Sequence, residues 1–189
     1  MRWQQLFADL SAQFEEEETA AERGESASRA RAEIGALRLA DRLGGALGQP
    51  VVLSCRGAGR IAGVLTDAGV DWLLLEDDRG SEHLVASAVV TSVAGLGRRT
   101  APPVEGPVSR ARPDLRRALK GLARDRAVVQ VVLDDGAVLT GTIDRVGADY
   151  LELAEHASDE PRRVAAVRAV RAVVLTAVGV VRTVPPAIV

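Results

Sequence analysis

The chain has 189 residues, 47% apolar, 26% charged and 3% aromatic, with 24 Lys+Arg against 26 Asp+Glu and a net charge of −2. That length suits one full domain or two small ones with a buried core. The single cysteine, Cys55, excludes an internal disulfide and a cysteine zinc cluster. Arg168, Arg171 and Arg182 interrupt the apolar tail 164–184, which excludes a helical membrane span there.

Trp3, Leu6, Phe7, Leu10 and Phe14 recur at the spacing of one helical face and hold three of the five aromatics. This stripe suits docking in a protein partner's groove, pairing with a second copy, or packing on the rest of the chain. Asp9 and the run Glu15 to Glu18 break any signal-peptide pattern, so a cytoplasmic location is expected. Residues 1–33 are therefore predicted to form an acidic helical extension, with net charge −4.

Residues 34–97 and 113–189 are predicted to be two related units, each led by a helix. Ile34, Leu37, Ala40, Leu43 and Leu47 mark the first helix, and Leu115, Ala118, Leu119 and Leu122 the second. A shift of 78 places Val51 on Val129, Gly63 on Gly141, Asp71 on Asp149, Trp72 on Tyr150 and Leu75 on Leu153, and continues to Ala88 on Ala166 and Val89 on Val167. Such self-similarity marks an internal duplication. In the second copy, strands are expected at Val129 to Leu133, Val138 to Ile143, Tyr150 to Leu153, Val164 to Val167 and Val170 to Val174. Five bent strands in so short a stretch are expected to close into a small barrel. The predicted fold is mainly β with helices: two tandem five-stranded barrels, each preceded by a helix, plus the N-terminal extension. Residues 98–112, rich in Pro and Arg, link them.

The pattern V-x-V-x-L-x-D-G-x-x-L-x-G-x-I-x-x-V-G-x-D-Y-L-x-L (Val129 to Leu153), followed by A-V-x-x-V (Ala166 to Val170), resembles the Sm/LSm family, especially its Hfq-like bacterial branch. Val51 to Leu75 resembles a degraded copy that lacks the D-G turn. The resemblance spans about two-thirds of the chain and implies an RNA-binding barrel that assembles into rings. The family's RNA-contacting signatures are missing: Ala148-Asp149-Tyr150-Leu151 has no Asn. Arg163-Val164-Ala165-Ala166 and Val85-Ala86-Ser87-Ala88 stand where the Hfq-like branch has Tyr-Lys-His-Ala. The opening Met1-Arg2-Trp3 with Leu6 to Leu10 is similar to that of a group of actinobacterial proteins, a likeness that carries no function.

The near-neutral total hides a basic middle, with residues 98–126 carrying a net +6. Arg110, Arg112, Arg116, Arg117, Lys120, Arg124 and Arg126 put positive charge on the linker and second helix, where Arg116, Lys120 and Arg124 form a stripe opposite Leu115, Leu119 and Leu122. The stripe suits phosphates of nucleic acid, RNA above DNA, or the chain's own acidic head. Trp72 and Tyr150 read as core or inter-barrel packing, with base stacking as the alternative. Asp71 and Asp149 read as turn residues bonding backbone N–H groups. His83 and His156 read as solvated loop residues, and Cys55 as a small buried hydrophobe. Gly57 to Gly63 mimics a phosphate loop but leads into a strand.

No nucleophile, base and orienting group stand together, so no enzyme, cofactor or metal is expected. The expected function is a non-catalytic nucleic-acid-binding or regulatory protein, three chains of which would close a ring of six barrels through strand edges. The alternative is an adaptor that recruits a protein partner through the N-terminal helix.

Overall fold

A computed structural model describes residues 28–29, 31–32, 34–101, 112–158 and 166–183. The aromatic stripe Trp3, Leu6, Phe7, Leu10 and Phe14, and Arg110 of the linker, lie outside the described residues. The chain divides into two compact units, Met1–Leu39 and Ala40–Val189, and all the strands belong to the second.

The first predicted helix is short. α1 spans Leu39–Gly44, and of the predicted stripe only Leu43 is buried; Ile34, Leu37, Ala40 and Leu47 are exposed. Five strands follow: β1 (Pro50–Cys55), β2 (Gly59–Ala68), β3 (Trp72–Glu76), β4 (Glu82–Ala86) and β5 (Val90–Ala94). After α2 (Leu115–Asp125) come β6 (Val128–Leu133), β7 (Val138–Val146), β8 (Tyr150–Glu155), β9 (Ala169–Val174) and β10 (Val178–Thr183).

The prediction of two tandem five-stranded barrels is overturned. The strands form one ten-stranded antiparallel sheet in the order β5-β1-β2-β3-β4-β10-β6-β7-β8-β9. The two repeats have the same internal order, but β4 of the first pairs with β10 of the second: Val85 opposite Val180, Leu84 opposite Val181, and His83 opposite Arg182. The edge of one repeat thus satisfies the unpaired backbone groups of the other. β5 and β9 are the outer strands of the sheet.

The pairing makes the seam strands apolar on both faces. In β4, β6 and β10, adjacent residues are buried in turn: Leu84 to Ala86, Val131 with Val132, and Val178 to Val181. Val85, Val132 and Val180 join a core with Leu53, Leu65 and Leu75 of the first repeat. Trp72, Leu84 and Ala86 join the other core with Leu119, Val131, Ile143 and Leu153 of the second. Each core borrows side chains from the other repeat, so neither repeat is complete alone.

The repeat register holds through β8 and then shifts. Trp72 pairs with Ala86, and Tyr150 with Val174, so the offset of 78 (72 to 150) becomes 88 (86 to 174). The β8–β9 connection (156–168) is longer than its β3–β4 counterpart (77–81). Val170 to Val174 is therefore the fourth strand of the repeat, not the fifth, and Val178–Thr183 supplies the fifth. Gly63 and Gly141 sit where a Cβ would strike the carbonyl oxygens of Glu76 and Ala154, so another backbone passes too close for any side chain at either position.

Candidate nucleic-acid interface

Asp114 caps the start of α2, its side chain accepting the Arg117 backbone N–H at 2.8 Å. A second carboxylate reaches it from the first repeat, where Asp71 Oδ1 accepts the Leu115 N–H at 2.6 Å. The Trp72 indole N–H donates to the Pro113 carbonyl at 2.9 Å, which also accepts the Val70 N–H at 3.2 Å. The β2–β3 turn therefore fixes the start and direction of α2. Asp71 is a backbone acceptor as expected, but its donor lies in the other repeat.

Leu115 and Leu119 are buried, which turns the opposite face of α2 outward. At 3.6 residues per turn, Arg117, Lys120 and Arg124 centre on that outward face, and all three are exposed. Among the described residues none of the three makes an ion pair or side-chain hydrogen bond. Arg126 ends the helix in the left-handed conformation (φ 51°) and is also exposed.

Arg116, read in the sequence as part of the stripe, is not on that ridge. Its Nε donates to the Gly147 carbonyl at 2.6 Å, which ties α2 to the β7–β8 turn. Arg112 is half-buried just before the helix. The cationic face thus runs through Arg117, Lys120 and Arg124, with Arg126 at its end. Arg117 stands in the first turn of α2, where a cation opposes the helix dipole. Helix stability therefore does not account for its placement.

Trp72 is buried against α2, whereas its counterpart Tyr150 is only half-buried. The difference follows from topology: the second repeat covers Trp72, while Tyr150 pairs with Val174 of the outer strand β9, which is 55% exposed. Beside Trp72, an apolar cavity of about 150 Å³ lies between α2 and the seam, lined by Leu74, Leu84, Ala118, Leu122 and Val181 among others.

The histidines are not solvated loop residues. His156 is buried, with Nδ1 2.8 Å from the Ala157 carbonyl and Nε2 2.8 Å from Thr142 Oγ1. A carbonyl only accepts, so Nδ1 carries the proton and donates to it. His83 lies on β4 with Nε2 3.0 Å from Asp77 Oδ2. Asp77 Oδ1 also accepts the backbone N–H groups of Ser81 (2.8 Å) and Arg79 (2.9 Å). The hydrogen bond from His83, then those from Ser81 and Arg79, hold the Asp77 carboxyl down at about 2. Cys55 is buried as expected; burial raises its thiol above the usual range, and the Arg182 charge partly opposes this.

His83 and Asp77 share a polar cleft of about 310 Å³ with Arg60, Asp78, Arg79 and Arg182. Sequence reasoning missed this group because its members come from β2, the β3–β4 hairpin, β4 and β10. The one signal for it was a charge, Arg182, on an otherwise valine-rich strand. Among the described residues no cluster of three His, Cys, Asp or Glu side chains is placed to hold a metal ion, and no helix is long and apolar enough to cross a membrane. No protein-family model, curated protein or solved structure matches the chain, so neither the Sm/LSm resemblance nor the actinobacterial likeness gains support from comparison.

Proposed function

We propose that this is a non-catalytic, cytoplasmic nucleic-acid-binding protein that holds phosphates on the outward face of α2, with single-stranded RNA as its first ligand. The observation that carries the reading is the exposed row Arg117, Lys120 and Arg124, unpaired among the described residues and opposite the buried Leu115 and Leu119. Three cations within about two turns of helix, roughly 10 Å, can neutralise successive phosphates of one strand. α2 is held at its start by Asp71 and Asp114 and along its side by Arg116, so the row is presented on a fixed support. Pre-ordering of this kind lowers the entropy cost of binding.

The test is fluorescence anisotropy of a labelled single-stranded oligoribonucleotide with the full chain at low salt. The wild type is expected to bind. The variant Arg117→Glu, Lys120→Glu, Arg124→Glu is expected to lose at least about tenfold in affinity at unchanged stability. Equal binding by the two proteins, or none by the wild type, contradicts the reading.

A further inference from the structure

The seam where β4 meets β10 holds two buried polar atoms without hydrogen-bond partners, His83 Nδ1 and Arg182 Nε. Their residues are direct cross-strand partners. Both side chains point to the face that carries Val85 and Val180, at the end of the first core. They line the same cleft of about 310 Å³, together with Arg60, Arg79, Asp77 and Asp78. Burying a donor or an acceptor without a partner costs about 1–3 kcal/mol. Two such atoms, on residues that line one polar cleft, therefore point to a ligand that supplies both partners.

The chemistry of that ligand follows from the two atoms. Arg182 Nε is always a donor and needs an acceptor oxygen. The His83 ring has its Nε2 beside the Asp77 carboxylate, which only accepts, so Nε2 carries a proton. On the neutral ring Nδ1 is then an acceptor and needs a donor. Asp77 is fully engaged by His83, Ser81 and Arg79 and does not compete for Arg182. Arg60 and Arg79 make no side-chain interaction among the described residues and add positive charge around the cleft. With the ring neutral, the ligand that meets both atoms combines negative oxygens with an O–H.

We propose that this cleft binds inorganic phosphate, whose P–O⁻ oxygens accept from Arg182 Nε–H and whose P–OH, which the ion keeps at neutral pH, donates to His83 Nδ1. A phosphodiester, a sulfate and a phosphomonoester, whose second ionisation lies at about pH 6, lack the O–H at neutral pH and satisfy only Arg182. The site is built from both repeats, because Arg182 comes from the second and the remaining lining residues from the first. It is independent of the α2 face, so the two readings can fail separately.

The experiment is isothermal titration of the full chain with inorganic phosphate and, separately, with sulfate at neutral pH. Phosphate is expected to bind at least about tenfold more tightly than sulfate, since a site built for a hydroxyl rejects an analogue that lacks one. Arg182→Gln is expected to abolish binding. Arg60→Gln, at an exposed position, is expected to weaken it several-fold without disturbing the fold. The triple reversal on α2 is expected to leave phosphate binding unchanged. Adenosine 5′-monophosphate and a 5′-phosphorylated oligoribonucleotide, both mainly without the O–H at neutral pH, are expected to displace phosphate no better than sulfate does; displacement as strong as by phosphate itself contradicts the role given to the O–H. Phosphate binding without either competition supports the site for the free ion. No phosphate binding, equal binding of sulfate, or full binding by both Arg variants overturns the proposal.

Discussion

Asp71 Oδ1 accepts the backbone N–H of Leu115 across 2.6 Å, so a carboxylate of the first repeat caps the helix of the second. Asp114 caps the same helix locally through the Arg117 N–H. Together they set negative charge against the positive end of α2, where Arg116 and Arg117 would otherwise stand unopposed. Replacing Asp71 by Ala leaves the Leu115 N–H without its acceptor, at an expected cost of about 1–2 kcal/mol in urea unfolding. Because both caps serve one helix, Asp71→Ala with Asp114→Ala should cost more or less than the sum of the two single changes. Strict additivity would show that Asp71 does not act through α2.

Trp72 and Tyr150 hold equivalent positions in the two repeats, yet Trp72 is 5% exposed and Tyr150 half-buried. Only Trp72 belongs to a core, the one built around α2 and the second repeat. Trp72→Ala is expected to destabilise by about 3–5 kcal/mol. Tyr150→Ala should cost about 1–2 kcal/mol. Chemical denaturation of the two variants checks this; equal losses would contradict the covered and uncovered roles given to them.

The Asp77 carboxyl is held at about 2 in the folded chain, chiefly by its hydrogen bond from His83. An unfolded Asp titrates at about 3.9, so across that interval the folded state binds fewer protons than the unfolded one. The contribution is complete above about pH 4 and is lost as pH falls through about 2. Asp77→Asn should therefore be less stable than wild type at pH 6, with the gap closing between about pH 4 and pH 2. Urea midpoints measured across that range test it, and a gap that does not change with pH would contradict it.

Much of the fold was legible, for identifiable reasons. Alternation in Val129 to Leu133 and Val51 to Cys55, with glycines at the turns, marks strands because side chains on a strand alternate faces. The buried face of α2 followed from Leu115 and Leu119 at helical spacing. What pairs with the edge of β4 was not legible, because hydrogen bonding between strands uses backbone groups that every residue carries. That pairing replaced two predicted barrels with one sheet. The shift from 78 to 88 was hidden by the valine-rich stretch after residue 163, which reads as strand in many registers. On α2, spacing placed Arg116 with Lys120 and Arg124, but the Gly147 carbonyl, thirty-one residues away, takes its guanidinium. The seam cleft has no sequence pattern, because four separate segments contribute its charges.

The salt dependence of RNA binding tests the central claim most directly. If Arg117, Lys120 and Arg124 each neutralise a phosphate, log K against log[salt] for single-stranded RNA should have a slope shallower by about 2 in the triple reversal than in the wild type. Identical slopes for the two proteins, or no RNA held by the wild type at low salt, would contradict the assignment of this face to nucleic acid.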